Sequence, residues 1–245
     1  FFSGGVDSFF TVLRHNNIPS SDRQIDIDDL LPVWGFDIPL RNSDAFARIR
    51  DTLRRAASDL GKELIAISTN VGAALIQRTD WPSLSLGCGL ASVGLAMEKR
   101  YRRVLIPSTH CYKELHPWGS HALTDPLLST SRTKIIHDGA AFNRVEKTEF
   151  IAGSDVAMRS LHVCWVLQSD ENCGACKKCY RTMMTLELLG ALSRCTTFKE
   201  GSVDEKKIAR LYSRDENRRF LLREVRRFAL RKGRRDIAIA IDRSI

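Results

Sequence analysis

Ser3-Gly4-Gly5-Val6-Asp7-Ser8 stands near the start of a 245-residue chain, with Phe1-Phe2 before it and Phe9-Phe10-Thr11-Val12-Leu13 after it. Apolar residues, a glycine pair and a second apolar run describe the end of a buried strand, a tight turn and a helix start. Adjacent glycines adopt backbone angles closed to other residues, and they carry no side chain to hold a ligand off the backbone. The amides of such a turn, with the free N–H groups of the helix behind it, make an anion site. Ser3 and Ser8 add hydroxyl groups, and Asp7 either caps the helix or helps to hold a cation. An ordinary strand-to-helix turn has the same outline. No Gly-Lys-Ser/Thr follows, so the stretch is not a Walker A loop.

Outward from the turn, apolar runs alternate with amphipathic ones. Residues 30–36, 63–69, 103–109 and 133–137 read as strands. The stretch from Asp44 to Leu60 reads as a helix, with Ser43 as its N-cap, Phe46, Ile49, Leu53, Ala56 and Ala57 on one face, and Gly61 as its stop. Residues 86–99, 144–160 and 182–192 read as further helices, and His15 to Asp29 as a loop. Such alternation implies an α/β fold: a mostly parallel sheet with helices on both faces, whose ligands bind beyond the carboxyl ends of the strands. The expected divisions are 1–160, an α/β domain; 161–200, a cysteine-rich segment and helix; and 201–245, a basic helical tail. With so little before the glycine turn, most of the first strand is expected to be missing from the sequence.

Cys173-Gly174-Ala175-Cys176-Lys177-Lys178-Cys179 contains two CxxC steps that share a cysteine, and Cys164 precedes them. Four thiolates at this spacing close a tetrahedral zinc site with no open position, a structural site. An iron–sulfur cluster also takes four cysteines, and free buried cysteines are the third reading. With no apolar run long enough to span a bilayer and no export signal, a reducing compartment, the cytoplasm, is expected, with no membrane partner.

The glycine stretch resembles the SGGxDS signature of the PP-loop ATP pyrophosphatases, which cleave ATP between the α and β phosphates, usually to adenylate an oxygen of an acceptor. With the Cys164/Cys173/Cys176/Cys179 pattern, Arg181 just beyond it and Lys147-Thr148-Glu149-Phe150-Ile151 before it, the chain looks like a divergent relative of the 7-cyano-7-deazaguanine synthases within that superfamily. The resemblance implies a Rossmann-like nucleotide domain, ATP and Mg²⁺ as well as Zn²⁺, and release of AMP and pyrophosphate. A small acid or amide acceptor is then attacked by ammonia or another nucleophile. It implies ATP binding by Ser3, Gly4, Gly5, Val6, Asp7 and Ser8, with Asp7 and Lys147 as catalytic residues. The chain departs from those synthases where they recognise base and acid. Gly35-Phe36-Asp37 replaces their Tyr-Gly-Gln, and their Pro-Gly-Arg-Asn and Tyr-Pro-Asp-Cys segments are absent. A different acceptor follows from this.

Arg144 and Lys147 are three apart, so one helix face presents both; phosphate neutralisation and a solvated face are the competing readings. Trp118, His121 and Asp125, on a polar and aromatic loop after a strand, are candidates for acceptor recognition. His110, Cys111, His116 and His121 match no standard metal pattern, and Cys88, among small apolar residues, reads as packing. Of the net charge of +9, residues 204–245 carry +7. Phe220, Leu221, Val225 and Phe228 of the tail are expected to face inward with arginines outward. RNA is therefore a second partner class, through a PP-loop tRNA thiolase or otherwise. A non-catalytic nucleotide-binding component and a homo-oligomer also remain open.

Overall fold

Parallel pairing of short strands organises the chain. The computed structural model describes residues 1–17, 25–76, 78–211 and 216–245. The glycine turn leads into α1 (Val6–Asn17), followed by β1 (Asp29–Leu30), β2 (Val33–Trp34), α2 (Ser43–Asp59), β3 (Glu63–Leu64), β4 (Ile67–Ser68) and α3 (Val71–Ile76). Then come α4 (Leu86–Ala96), β5 (Arg103–Pro107), β6 (Lys134–Asp138), α5 (Arg144–Ala152), α6 (Asp155–Ser160), α7 (Lys177–Leu188), α8 (Glu205–Ile208), α9 (Glu216–Arg231) and α10 (Arg235–Asp242). Of the loop expected over 15–29, residues 18–24 lie outside the described residues, and His15 to Asn17 belong instead to the last turn of α1, which carries on past Arg14.

β1 pairs with β3, β2 with β4 and β5 with β6, all parallel. The first two pairs are one ladder interrupted at Leu31-Pro32. Pro32 has no N–H to give, yet its carbonyl still accepts from Ile67 at 3.0 Å, between the Ile65-to-Leu30 and Thr69-to-Trp34 bonds. Phe1 and Phe2 lie between this ladder and β5. The Phe2 N–H donates to Leu31 O at 2.9 Å, and the Phe1 nitrogen donates to Leu105 O at 2.8 Å.

One buried cluster joins Phe2 and Phe9, Leu53 of α2, Ile151 of α5, Met183 of α7, Phe228 of α9 and Ile241 of α10. A smaller cluster packs Ala91 of α4 on Val104, Ile106 and Ile135, the alternate residues of β5 turned to one face. The helices expected over 86–99 and 182–192 end at Ala96 and Leu188, and two other departures have local reasons. The 144–160 helix is broken at Gly153-Ser154, where the Ser154 side chain caps α6 by accepting from Ala157 N. The helix expected from Thr182 begins at Lys177 because Cys176 is its N-cap, its sulfur accepting from Cys179 N. In the tail, Leu221, Leu222, Val225 and Phe228 are buried, and so is Glu224. No helix among the described residues is long and apolar enough to cross a membrane.

Candidate functional site

Gly4 has φ +76°, a conformation that disfavours any side chain. A Cβ there would stand 2.7 Å from Leu53 Cδ2. Its carbonyl accepts the His162 N–H at 2.8 Å, so the turn is fastened to the segment that carries Cys164. Ser3 is exposed, and its Oγ accepts from Gly5 N at 3.3 Å. The buried Ser8 hydroxyl donates back to Gly5 O at 3.0 Å and so braces the turn. Val6 is buried among core residues, with its backbone at the first position of α1.

Asp7, in the first turn of α1, faces the first turn of α5. Arg144 Nη2 donates to Asp7 Oδ2 at 2.6 Å, and Lys147 Nζ lies 3.5 Å from Asp7 Oδ1. Asn143 and Glu146 form a capping box at the start of α5 and fix the helix so that residues three apart present both cations. The Lys147 ammonium is 1% exposed and donates to Ser108 O at 2.6 Å and to Ser108 Oγ at 2.7 Å. Burial pushes the Lys147 ammonium below its usual range, while Asp7 pulls the other way. Ser108 follows β5, and its N–H donates to Asp138 O at 2.7 Å. The Asp138 carboxylate accepts from Thr11 Oγ1 at 2.8 Å and pairs with His15 Nε2 at 3.1 Å.

The loop after β5 adds a ring cluster. His110 and His116 centroids are 4.2 Å apart, and Trp118 lies 5.3 Å from His110 and 5.8 Å from His116. Burial pushes the His110 imidazole down to about 3, helped by the charges of His116, Arg144, Arg181 and Lys147 around it. Arg181, on α7, is pushed down to about 9 by burial and then by Arg144. Asp7 Oδ1, both His110 nitrogens, His116 Nε2, Trp118 Nε1 and the Nε atoms of Arg144 and Arg181 are buried with no hydrogen-bond partner among the described residues. Unpaired buried polar atoms are costly. A concentration of them around two arginines and a lysine is suited to a polar, anionic ligand.

His121 and Asp125 are bonded within their own loop and to β6. The fully buried Asp125 accepts from Ser120 Oγ at 2.7 Å and from His121 N at 3.1 Å, and pairs with His137 Nδ1 at 2.8 Å. It thereby holds the loop that displays Trp118. His121 Nδ1 accepts from Leu123 N within that loop.

The sulfurs of Cys164, Cys173, Cys176 and Cys179 all lie within 4.8 Å of one another. Cys173 Sγ accepts from Cys176 N at 3.2 Å and Cys176 Sγ from Cys179 N at 3.4 Å. The turn between them passes through Gly174 at φ +61°. Hydrogen bonds from Cys179 push the Cys176 thiol down to about 5. Four converging sulfurs with N–H···S support fit a tetrahedral thiophilic ion, and zinc is the ion this donor set suits. Asn172, which sequence reading passed over, ties the site together. Its Oδ1 accepts from Val163 N and Cys164 N at 2.9 and 3.1 Å, and its Nδ2 donates to Leu161 O at 2.9 Å.

Comparison of the chain with family models, with characterised proteins and with solved structures found no match. Arg181 was legible only as a residue following the cysteines. Its place beside Arg144 depends on α7 starting at Lys177, behind the Cys176 cap, which no periodicity marks.

Proposed function

We propose that the chain is an ATP-dependent adenylating enzyme of the PP-loop kind. It would join an oxygen of a small acid or amide to the α-phosphorus of ATP, release pyrophosphate, and pass the activated acceptor to ammonia or another nucleophile that displaces AMP. The observation that carries this reading is the grouping of Asp7, Arg144 and Lys147 beside a positive-φ glycine turn at a helix start. Phe1 and Phe2, bonded to Leu31 and Leu105, are then the central segment of a five-segment Rossmann-like sheet, and the grouping lies beyond its carboxyl edge.

In this reading the turn amides and the first N–H groups of α1 hold phosphate oxygens. Lys147, anchored on Ser108, and Arg144 neutralise charge that builds on the leaving pyrophosphate. Asp7 Oδ1, a buried carboxylate oxygen with the Lys147 ammonium 3.5 Å away and no closer hydrogen-bond partner among the described residues, has room to take a hard cation. Magnesium bound with the nucleotide would add further neutralisation of the phosphates. Arg181, His110, His116 and Trp118 would receive the acceptor. The four-cysteine site would hold α7, and hence Arg181, in place. The ring cluster is where the chain departs from the deazaguanine synthases, which supports an acceptor of its own.

A PP-loop thiolase needs a reactive thiolate. The buried Cys111 thiol is pushed up to about 11 by burial and by Glu114, which disfavours that reading at this residue. Cys88, expected to be packed, is exposed, so a Cys88→Ala variant tests the remainder.

The test is exchange of labelled pyrophosphate into ATP with Mg²⁺ and a panel of small carboxylic acids and amides, 7-carboxy-7-deazaguanine among them. Acceptor-dependent exchange that survives Cys88→Ala is expected. ATP binding without exchange for any acceptor would favour a non-catalytic nucleotide-binding protein.

A further inference from the structure

Where α9 meets the loop after β5, one sulfur and two carboxylates converge. The ligand atoms of Cys111, Glu114 and Glu224 all lie within 4.8 Å of one another. Cys111 and Glu114 are brought together by a short turn after β5, in which Glu114 N donates to Cys111 O at 3.0 Å. Cys111 Sγ is 3.2 Å from Glu114 Oε2. Glu224 arrives from α9, far along the chain. It is 5% exposed, on a helix face that otherwise buries Leu221, Leu222, Val225 and Phe228. Its Oε1 has no hydrogen-bond partner among the described residues.

An apolar helix face does not take up an acidic side chain without compensation. Two carboxylates this close repel each other unless a proton or a cation lies between them. The positive groups nearby compensate only in part. Arg227 Nη2 is 3.9 Å from Glu114 Oε1 and is largely exposed.

We propose that Cys111, Glu114 and Glu224 form a second metal site, which takes a divalent ion of the zinc class and leaves one coordination position open. A thiolate with two carboxylates selects against Mg²⁺ and Ca²⁺, which take oxygen ligands. Three protein ligands are the pattern of a site that keeps a place for water or substrate, in contrast to the closed four-cysteine site. The open position would polarise an oxygen of a bound molecule. The basic tail would then complete the site through Glu224. The proposal does not depend on the chemistry of ATP, and its test uses none.

The intact protein, stripped of metal and titrated with Zn²⁺, is expected to bind two ions per chain, read by elemental analysis and calorimetry. Glu224→Gln and Cys111→Ser should each retain one ion and bind the second at least about tenfold more weakly. With Co²⁺, the sulfur-to-metal absorption should lose one component in Cys111→Ser and keep the component of the four-cysteine site. Should either variant fail to fold, Glu114→Gln, on the more exposed ligand, provides the same comparison. A single ion in the unaltered protein would overturn the proposal and leave the two carboxyls sharing a proton. Two ions in the unaltered protein and in every variant would overturn it as well, by placing the second ion elsewhere.

Discussion

Arg144 and Asp7, 137 positions apart in the chain, meet at 2.6 Å and join the first turn of α5 to the first turn of α1. Lys147 adds a second cation to the same carboxylate, so two positive groups share one negative group in a largely buried place. Asp7→Asn should therefore lower the unfolding free energy by about 3 kcal/mol, and inorganic pyrophosphate should restore much of it by supplying the lost charge. Thermal melts with and without pyrophosphate check this; a variant as stable as the parent, or one that pyrophosphate leaves unmoved, speaks against an anion site there.

Gly4→Ala is expected to destabilise by about 2–4 kcal/mol, from left-handed backbone strain and contact with the 1%-exposed Leu53, which has no room to move. Gly61 also has positive φ, but nothing lies within 4 Å of its would-be Cβ. Gly61→Ala should cost only about 1 kcal/mol. Urea unfolding of the two variants separates close packing from backbone strain.

Serine is itself a favoured N-cap, so Cys176→Ser keeps the cap of α7 and removes a sulfur from the four-cysteine site. A loss of several kcal/mol, seen as a midpoint lower by roughly 10 °C, is expected from the weakened zinc site. Equal midpoints would mean that the sulfurs hold no ion.

Burial raises the Asp138 carboxyl, but hydrogen bonds from His15 and Thr11 and the charge of Arg14 outweigh it, and the net shift is downward. A carboxyl whose folded value lies below its unfolded value near 4 stabilises above that unfolded value. The contribution is lost as pH falls through the folded value. Asp138→Asn should lower stability at pH 7 by about 1–3 kcal/mol and remove part of the acid sensitivity below about pH 4. Denaturant melts of both proteins between pH 7 and pH 3 test the sign: the gap between them should narrow on acidification.

What the sequence discloses here follows from range. The glycine turn, the CxxC steps and the Arg144/Lys147 pair are local patterns, and each is assembled by one turn or one helix. Glu224 lies three or four positions from Phe220, Leu221 and Phe228, on the helix face expected to turn inward. An acidic residue among arginines gives no local sign of what it meets there; Cys111 and Glu114 come from a loop more than a hundred positions earlier. Asp125 looks like a polar loop residue until its bonds to Ser120 and His137 show it as the loop's anchor. Asn172 lies in a polar stretch without periodicity, and its role appears only when Leu161, Val163 and Cys164 return beside it. The interruption at Leu31-Pro32 splits the strand expected over 30–36 without ending the ladder, because proline loses a donor and keeps its carbonyl.

The most direct measurement follows the label of α-labelled ATP incubated with Mg²⁺, a protein-free metabolite extract and the intact chain. The account predicts label in AMP, with pyrophosphate as the partner product. It predicts at least about tenfold less in Lys147→Met, in which Ser108 and Asp7 lose their ammonium partner. Label in ADP, or ATP recovered unchanged, would contradict it.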